Sequence, residues 1–273
     1  MSKIDLGRYG AVLNPSSEGY VEAAVELEKL GFSTIWITGG PLGSLDQIAA
    51  VVRATSEVRV ASSIIPVIRF PAEDVVALYT DLEKTHPGRF VVGLGGAHGP
   101  DPFGTLGRYL DALDAAVPRE ARLLAALGPR MLKLAHDRSS GAIPILFTPE
   151  HTAEVRTALG ADTTLALAQA VVVEADPQRA RELARGGSLA FLSTQPAYQA
   201  SFRRQGFTDD EIARLDDRLV DALVAWGPTA TITARLDAQL TAGADHLALM
   251  VTAEPGNVVP IAQWHALAAA LPA

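Results

Sequence analysis

Three short stretches carry residue types that could do chemistry, and each sits where an apolar run gives way to a turn. In residues 85–100, THPGRFVVGLGGAHGP, the run Phe90, Val91, Val92 and Leu94 opens into Gly95, Gly96, Ala97 and His98. Glycine has no Cβ and lets a backbone come within van der Waals distance of a flat ligand. His98 is the only side chain in that loop that exchanges a proton near pH 7. The loop reads as the floor and rim of a cofactor site, although Gly95 and Gly96 would serve equally to make the turn alone. The second stretch, Gly128, Pro129, Arg130 and Met131, opens a helix, where free backbone N–H groups and the Arg130 guanidinium can hold a phosphate. An ordinary capped helix with a solvated arginine accounts for the same residues. Thr148 with His151 offers a second anion site of this kind, or simply a threonine N-cap.

The elements that must position these groups follow a regular beat. Short apolar runs at 9–13, 34–37, 59–65, 89–94, 122–127, 143–147, 164–173 and 246–251 read as strands. Between them lie helical patterns at 18–30, 44–54, 71–85, 107–116, 131–138, 229–242 and 259–271, with further helix starts at Thr148–Pro149 and Asp176–Pro177. A more polar stretch at about 186–226 breaks the beat and reads as a helical insertion before the last strand, with Thr208 and Glu211 spaced as a capping box. Eight strand–helix beats without an internal linker predict an α/β fold of the (β/α)8 TIM-barrel type, one domain over residues 1–273. A doubly wound dinucleotide fold would need a GxGxxG after the first strand, where the chain reads YGAVLNPSSEGY. In a barrel the site gathers at the carboxyl ends of the strands, which adds Asn14, Thr38, Gly39, Ser62, Ser63 and Ile64 to the candidates.

Composition narrows the chemistry. The chain has 273 residues, 48% hydrophobic and 20% charged, with a net charge of −8 and a pI near 5.2. No basic surplus points to nucleic acid, and no apolar run approaches a membrane span. The amino terminus lacks the apolar core of a signal peptide, so a cytoplasmic location is expected. There is no cysteine, which removes disulfides, thiolate nucleophiles and cysteine-ligated metals. No HExxH, Walker A sequence or set of strand-end carboxylates occurs, so no metal site is expected. The strand ends are instead lined by Gly, Ser, Thr and Ala, which suits a large planar cofactor that carries the hard chemistry itself. Trp36 reads as core within the second strand, and His246, at the start of the last, as structural.

The run HPGRFVVGLGG resembles the luciferase-like monooxygenase superfamily. So do RVASSIIPV followed by FPAEDVVALYTDLE, the early EAAVELEKLGFSTIWI and the late GADHLALMV. The likeness is strongest to the branch of oxidoreductases that use the deazaflavin coenzyme F420. It implies a (β/α)8 barrel binding F420 or FMN at its carboxyl face, a non-proline cis peptide at Ser63–Ile64 or Ser62–Ser63 backing the ring, Gly95, Gly96, Ala97 and His98 lining it, and residues 128–131 on the phosphate side. Relatives are commonly homodimers. The acidic loop residue and Asp-His pair of sugar and alcohol dehydrogenases are missing, since His98 and Thr38-Gly39 stand there, which leaves His98 as the candidate proton donor or acceptor. The expected activity is hydride transfer between F420 and a small organic substrate. An FMN-dependent monooxygenase and a non-catalytic cofactor-binding protein are the alternatives.

Overall fold

Eight parallel strands close into a ring whose inside is filled from every second strand position. The computed structural model describes residues 3–97, 99–253 and 257–272. The ring consists of β1 (Tyr9–Leu13), β2 (Thr34–Thr38), β3 (Arg59–Ser63) with its short continuation β4 (Ile65–Pro66), β5 (Phe90–Gly95), β6 (Arg122–Leu124), β7 (Gly141–Ala142), β8 (Thr164–Val173) and, after one strand outside the ring, β10 (His246–Val251). Closure is explicit, because β10 pairs in parallel with both β1 and β8. This is the expected (β/α)8 barrel.

Helices α1 (Tyr20–Lys29), α2 (Asp46–Ala54), α3 (Ala72–Thr85), α4 (Pro102–Leu113), α5 (Pro129–Arg138) and α6 (Pro149–Leu159) alternate with the strands. Between β8 and β10 come α7 (Pro177–Ala184), a π turn (Arg185–Leu189), α8 (Ala190–Leu192), α9 (Pro196–Arg204), α10 (Asp209–Arg214), α11 (Asp217–Leu223), strand β9 (Val224–Gly227) and α12 (Thr229–Thr241), and α13 (Ile261–Ala270) closes the chain. Local chemistry sets several of these starts. Thr148, Asp176 and Asp101 each cap a helix whose first turn contains proline, and Thr208 and Glu211 form both halves of a capping box. The Asp101 cap starts α4 at Pro102, five residues before the start expected from apolar spacing.

Alternation separates two cores. Ile35 and Ile37, Val92 and Leu94, and Leu247 and Leu249 face the helices, while Trp36, Ala61, Val91, Leu123, Ala166 and Ala248 fill the barrel. Two local expectations fail. The run 143–147 is not the sixth strand, which is β7 two residues earlier. Pro144 has no N–H for a ladder, Leu146 has a positive φ of 58°, and only Ile145 bridges to β8, at Ala168. The insertion expected to be helical over about 186–226 ends instead in strand β9 at Val224–Gly227, which pairs with residues 170–173 of β8. There Ala170 and Val172, on the register that faces inward lower down, pack with Leu189, Phe202, Leu219 and Leu223 in a satellite core. The helical segment thus builds on the upper end of β8, beside the mouth of the barrel.

Candidate active site

At the carboxyl end the barrel interior finishes in an apolar layer that is not fully covered. Ile64 after β3, Ile145 after β7 and Met250 in β10 pack on the interior core while staying partly exposed. They form a floor. Its edge is the break between β3 and β4, where the Ser63–Ile64 peptide is cis, one of the two bonds the resemblance named. The loop after β2 presses on that break, since a Cβ on Gly39 would lie 1.5 Å from the Ile64 carbonyl oxygen. Arg69 holds the same loop from the other side, donating to Gly39 O at 3.2 Å, to Gly40 O at 2.8 Å and to Leu42 O.

Gly96 and Ala97, both partly exposed, follow β5 beside this floor. Their neighbour Gly95 is required first by the chain's own packing: a Cβ there would meet Ala125 Cβ at 2.7 Å and Ile64 Cγ1 at 3.2 Å. Gly96 has φ of 67°, and its Cβ would stand 3.2 Å from Pro66. His98 lies outside the described residues. Ser63 keeps the inward register of Ala61 and is partly exposed, whereas Ser62 shares the outward register of Val60 and is fully buried. The Ser62 hydroxyl donates to Gly93 O and accepts from Gly93 N, each at 2.9 Å, so it serves the β3–β5 junction. Thr38 donates to Leu13 O at 3.3 Å, and exposed Asn14 caps its own turn by accepting from Ser16 N at 2.8 Å.

The two expected anion segments are joined by adjacent residues at the end of α9. Arg204 donates to Leu127 O at 3.0 Å, next to Gly128, which precedes α5 without a side-chain cap. Gln205 donates to Leu146 O at 3.1 Å and accepts from Thr148 N at 2.9 Å. Pro129 and Arg130 are exposed and Met131 partly so, and the Arg130 guanidinium lies 4.9 Å over the Phe103 ring. The Thr148 hydroxyl is used by its helix, accepting from His151 N at 3.3 Å, and the buried His151 ring turns to Glu154, with Nδ1 2.9 Å from Oε2. The Thr148 hydroxyl and the His151 ring are thus both engaged within α6.

Burial governs the electrostatics. His246 receives a hydrogen bond on Nε2 from Trp36 Nε1 at 2.9 Å and gives one from Nδ1 to Gly7 O at 2.9 Å. Desolvation pushes its pKa down to about 4, so it is the neutral structural group expected at the amino end of the barrel. On α9, two turns before Gln205, burial pushes the Tyr198 phenol up and keeps it protonated. Among the described residues no group of three or more His, Asp or Glu side chains could hold a metal ion, and no helix is long and apolar enough to cross a membrane.

Sequence reasoning missed Ile145, Met250, Arg69, Arg204 and Gln205. The alternation in HLALMV, with His246, Ala248 and Met250 on one face, carried the signal for Met250. No local signal marked the others, which depend on contacts across the fold.

The family described as luciferase-like monooxygenase matches residues 6–122. No curated protein matches the chain. Among solved structures, an F420-dependent secondary alcohol dehydrogenase in complex with an F420–acetone adduct superposes with a TM-score of 0.75 at 14% identity, over 100% of this chain and 99% of that one. The coenzyme F420-dependent tetrahydromethanopterin reductase from Methanopyrus kandleri gives 0.71 at 14% identity, over 96% and 97%. The FMN-bound oxygenating constituent of 3,6-diketocamphane monooxygenase from Pseudomonas putida gives 0.69 at 13% identity, over 96% and 95%. At such identities the likeness is one of fold. The family match contains the Ser63–Ile64 break and the glycine loop after β5, and it covers less than half of the chain.

Proposed function

We propose that the chain, as one barrel unit over residues 1–273 with its helical insertion, is an oxidoreductase that binds coenzyme F420 at the carboxyl face and moves a hydride between it and a small organic substrate. The observation that carries the reading is the partly exposed floor of Ile64, Ile145 and Met250 beside the small residues Gly96 and Ala97. An apolar floor with a low wall fits a planar tricyclic ring and buries no unsatisfied polar group under it. The two F420-dependent neighbours lend the cofactor its support.

When bound, the deazaflavin would supply or accept the hydride. The chain's own part is placement: the floor sets the height of the ring, and Ser63 and Thr38, paired across β2 and β3, border it. The N–H groups of Arg130 and Met131 at the start of α5, with the Arg130 guanidinium, are suited to a tail phosphate. His98, next after Ala97, is assigned the proton given to or taken from the substrate heteroatom.

A second reading, an FMN-dependent monooxygenase, is favoured by the family description and by the FMN-bound neighbour. Parallel titration of the purified protein with F420 and with FMN, followed by tryptophan quenching, separates the two. Micromolar or tighter F420 binding with weak FMN binding is the expected result, and the reverse result would move the chain to the oxygen-activating reading. Turnover of reduced F420 with a panel of enones and imines then distinguishes an enzyme from a protein that only binds the cofactor.

A further inference from the structure

Charge is scarce where the strands end. The loops that lead from the ring strands and β4 into the helices after them hold Arg69 as their only arginine or lysine. Its guanidinium is engaged by the carbonyls of Gly39, Gly40 and Leu42. The acids are engaged too: Asp101 and Asp176 cap α4 and α7, and Glu174 accepts from Asp176 N at 2.9 Å. Arg130 and Arg204 stand beside the start of α5, on the side given above to the tail phosphate. A charged substrate over Ile64, Ile145 and Met250 would thus shed water without meeting a counter-ion from these loops, which is strongly unfavourable. The net charge of −8 repels anions further.

Apolar surface gathers at the same face. Among the described residues the exposed large hydrophobic side chains are Ile68, Phe191, Val258 and Ile261. Ile68 follows β4, and Val258 and Ile261 follow β10. Phe191 lies in α8, directly after the π turn, and that turn abuts the end of β10, since a Cβ on Gly187 would stand 3.0 Å from Thr252 Oγ1. In the ring order β10-β1-β2-β3-β5-β6-β7-β8, closed by β8 on β10, strands β3 and β8 are opposite one another. Ile68 and Phe191 therefore belong to segments that leave opposite sides of the mouth. Exposed apolar groups gathered around a concave site mark it for an apolar ligand.

We propose that the substrate taken at this face is a neutral carbonyl compound with an extended apolar body, such as an alkyl enone, and that Ile68 and Phe191 hold that body beyond the floor. The inference rests on the hydride-transfer reading and names its substrate class. Sugar phosphates, carboxylates and amines fall outside it.

The protein is first titrated with F420 by tryptophan quenching, then assayed with reduced F420 on 3-penten-2-one, 3-hepten-2-one and 3-nonen-2-one, with 4-oxo-2-pentenoate as the charged probe. In each reduction one hydride adds to the β-carbon and one proton to the α-carbon of the enone, and reduced F420 returns to its oxidised form. Full burial of a methylene is worth about fourfold, so kcat/KM should rise at least about threefold for every two methylenes added. The carboxylate should react at least about tenfold less well than 3-penten-2-one. Calorimetric titration of protein loaded with oxidised F420, using 2-nonanone, gives a readout free of turnover. Ile68→Ser and Phe191→Ser should each weaken that binding at least about threefold while leaving F420 affinity and thermal unfolding unchanged. Failure of F420 to bind ends the hydride-transfer reading and this one with it. F420 binding with a flat chain-length series, with the carboxylate preferred, or with full 2-nonanone affinity in both variants overturns this inference alone. A variant that shifts the oligomeric state while retaining 2-nonanone affinity would assign the apolar rim to a protein interface and overturn it equally.

Discussion

Acid should weaken the fold through His246. Its ring is fully buried, and both nitrogens are engaged, Nε2 accepting from Trp36 and Nδ1 donating to Gly7 O. Protonation would put a second N–H on the nitrogen that accepts from Trp36 and a charge where no water reaches it. The native pKa is therefore pushed from the ordinary 6.5 down to about 4. Between these values the unfolded chain binds a proton that the native chain refuses, so stability falls as pH drops below about 6.5 and this loss is complete below about 4. At about 1.4 kcal/mol per pKa unit the full loss is roughly 3 kcal/mol, of which about 2 kcal/mol is already present at pH 5. Urea unfolding at pH 7.5 and pH 5, on the wild type and on His246→Gln, isolates the effect, since glutamine offers a donor and an acceptor but does not titrate. The wild type should lose about 2 kcal/mol more than the variant between the two pH values. Equal losses would refute the reasoning, because the acid sensitivity would then arise elsewhere.

Other positions test the floor and its supports. Gly39→Ala should lower stability by at least about 2 kcal/mol in thermal or urea unfolding, because its Cβ would overlap the Ile64 carbonyl at 1.5 Å. Ser62→Ala leaves the buried Gly93 N–H and C=O without their hydroxyl partner and should cost about 1–3 kcal/mol by the same assay. Met250→Ala should weaken cofactor binding roughly tenfold in the quenching titration while costing less stability than an equivalent cut at fully buried Leu249, since Met250 is partly exposed. His98→Ala should retain cofactor affinity and lose at least about 10²-fold in turnover, the lower range of general acid–base contributions; unchanged turnover would remove its proton-transfer role.

Glycine effects separate into two kinds once the contacts are known. Gly95 and Gly96 suggested room for a ligand, yet the Cβ of each would strike the protein first, at Ala125 and Ile64 for one and at Pro66 for the other. A Gly95→Val change therefore disturbs the packing of the site as well as any ligand, and loss of binding in that variant alone does not locate the ring.

What the chain determined by itself was whatever depends on neighbours a few residues apart. Strand and helix order follows from apolar spacing, the starts of α6, α7 and α10 from caps such as Thr148–Pro149 and Asp176–Pro177, and the inside of β10 from the alternation of His246, Ala248 and Met250. The barrel class follows from that order, because eight short parallel strands with interleaved helices bury their edges by closing. Tertiary structure decided the rest. Pro144 and the positive φ of Leu146 end the sixth strand early and leave Ile145 on the floor, while Arg204 and Gln205 reach from the helical segment to tie the loops at Leu127 and Thr148. Trp36 meets His246 across 210 positions of sequence. Such pairings are created by ring closure and by the docking of a distant segment, and neither leaves a periodic trace in the residues that take part.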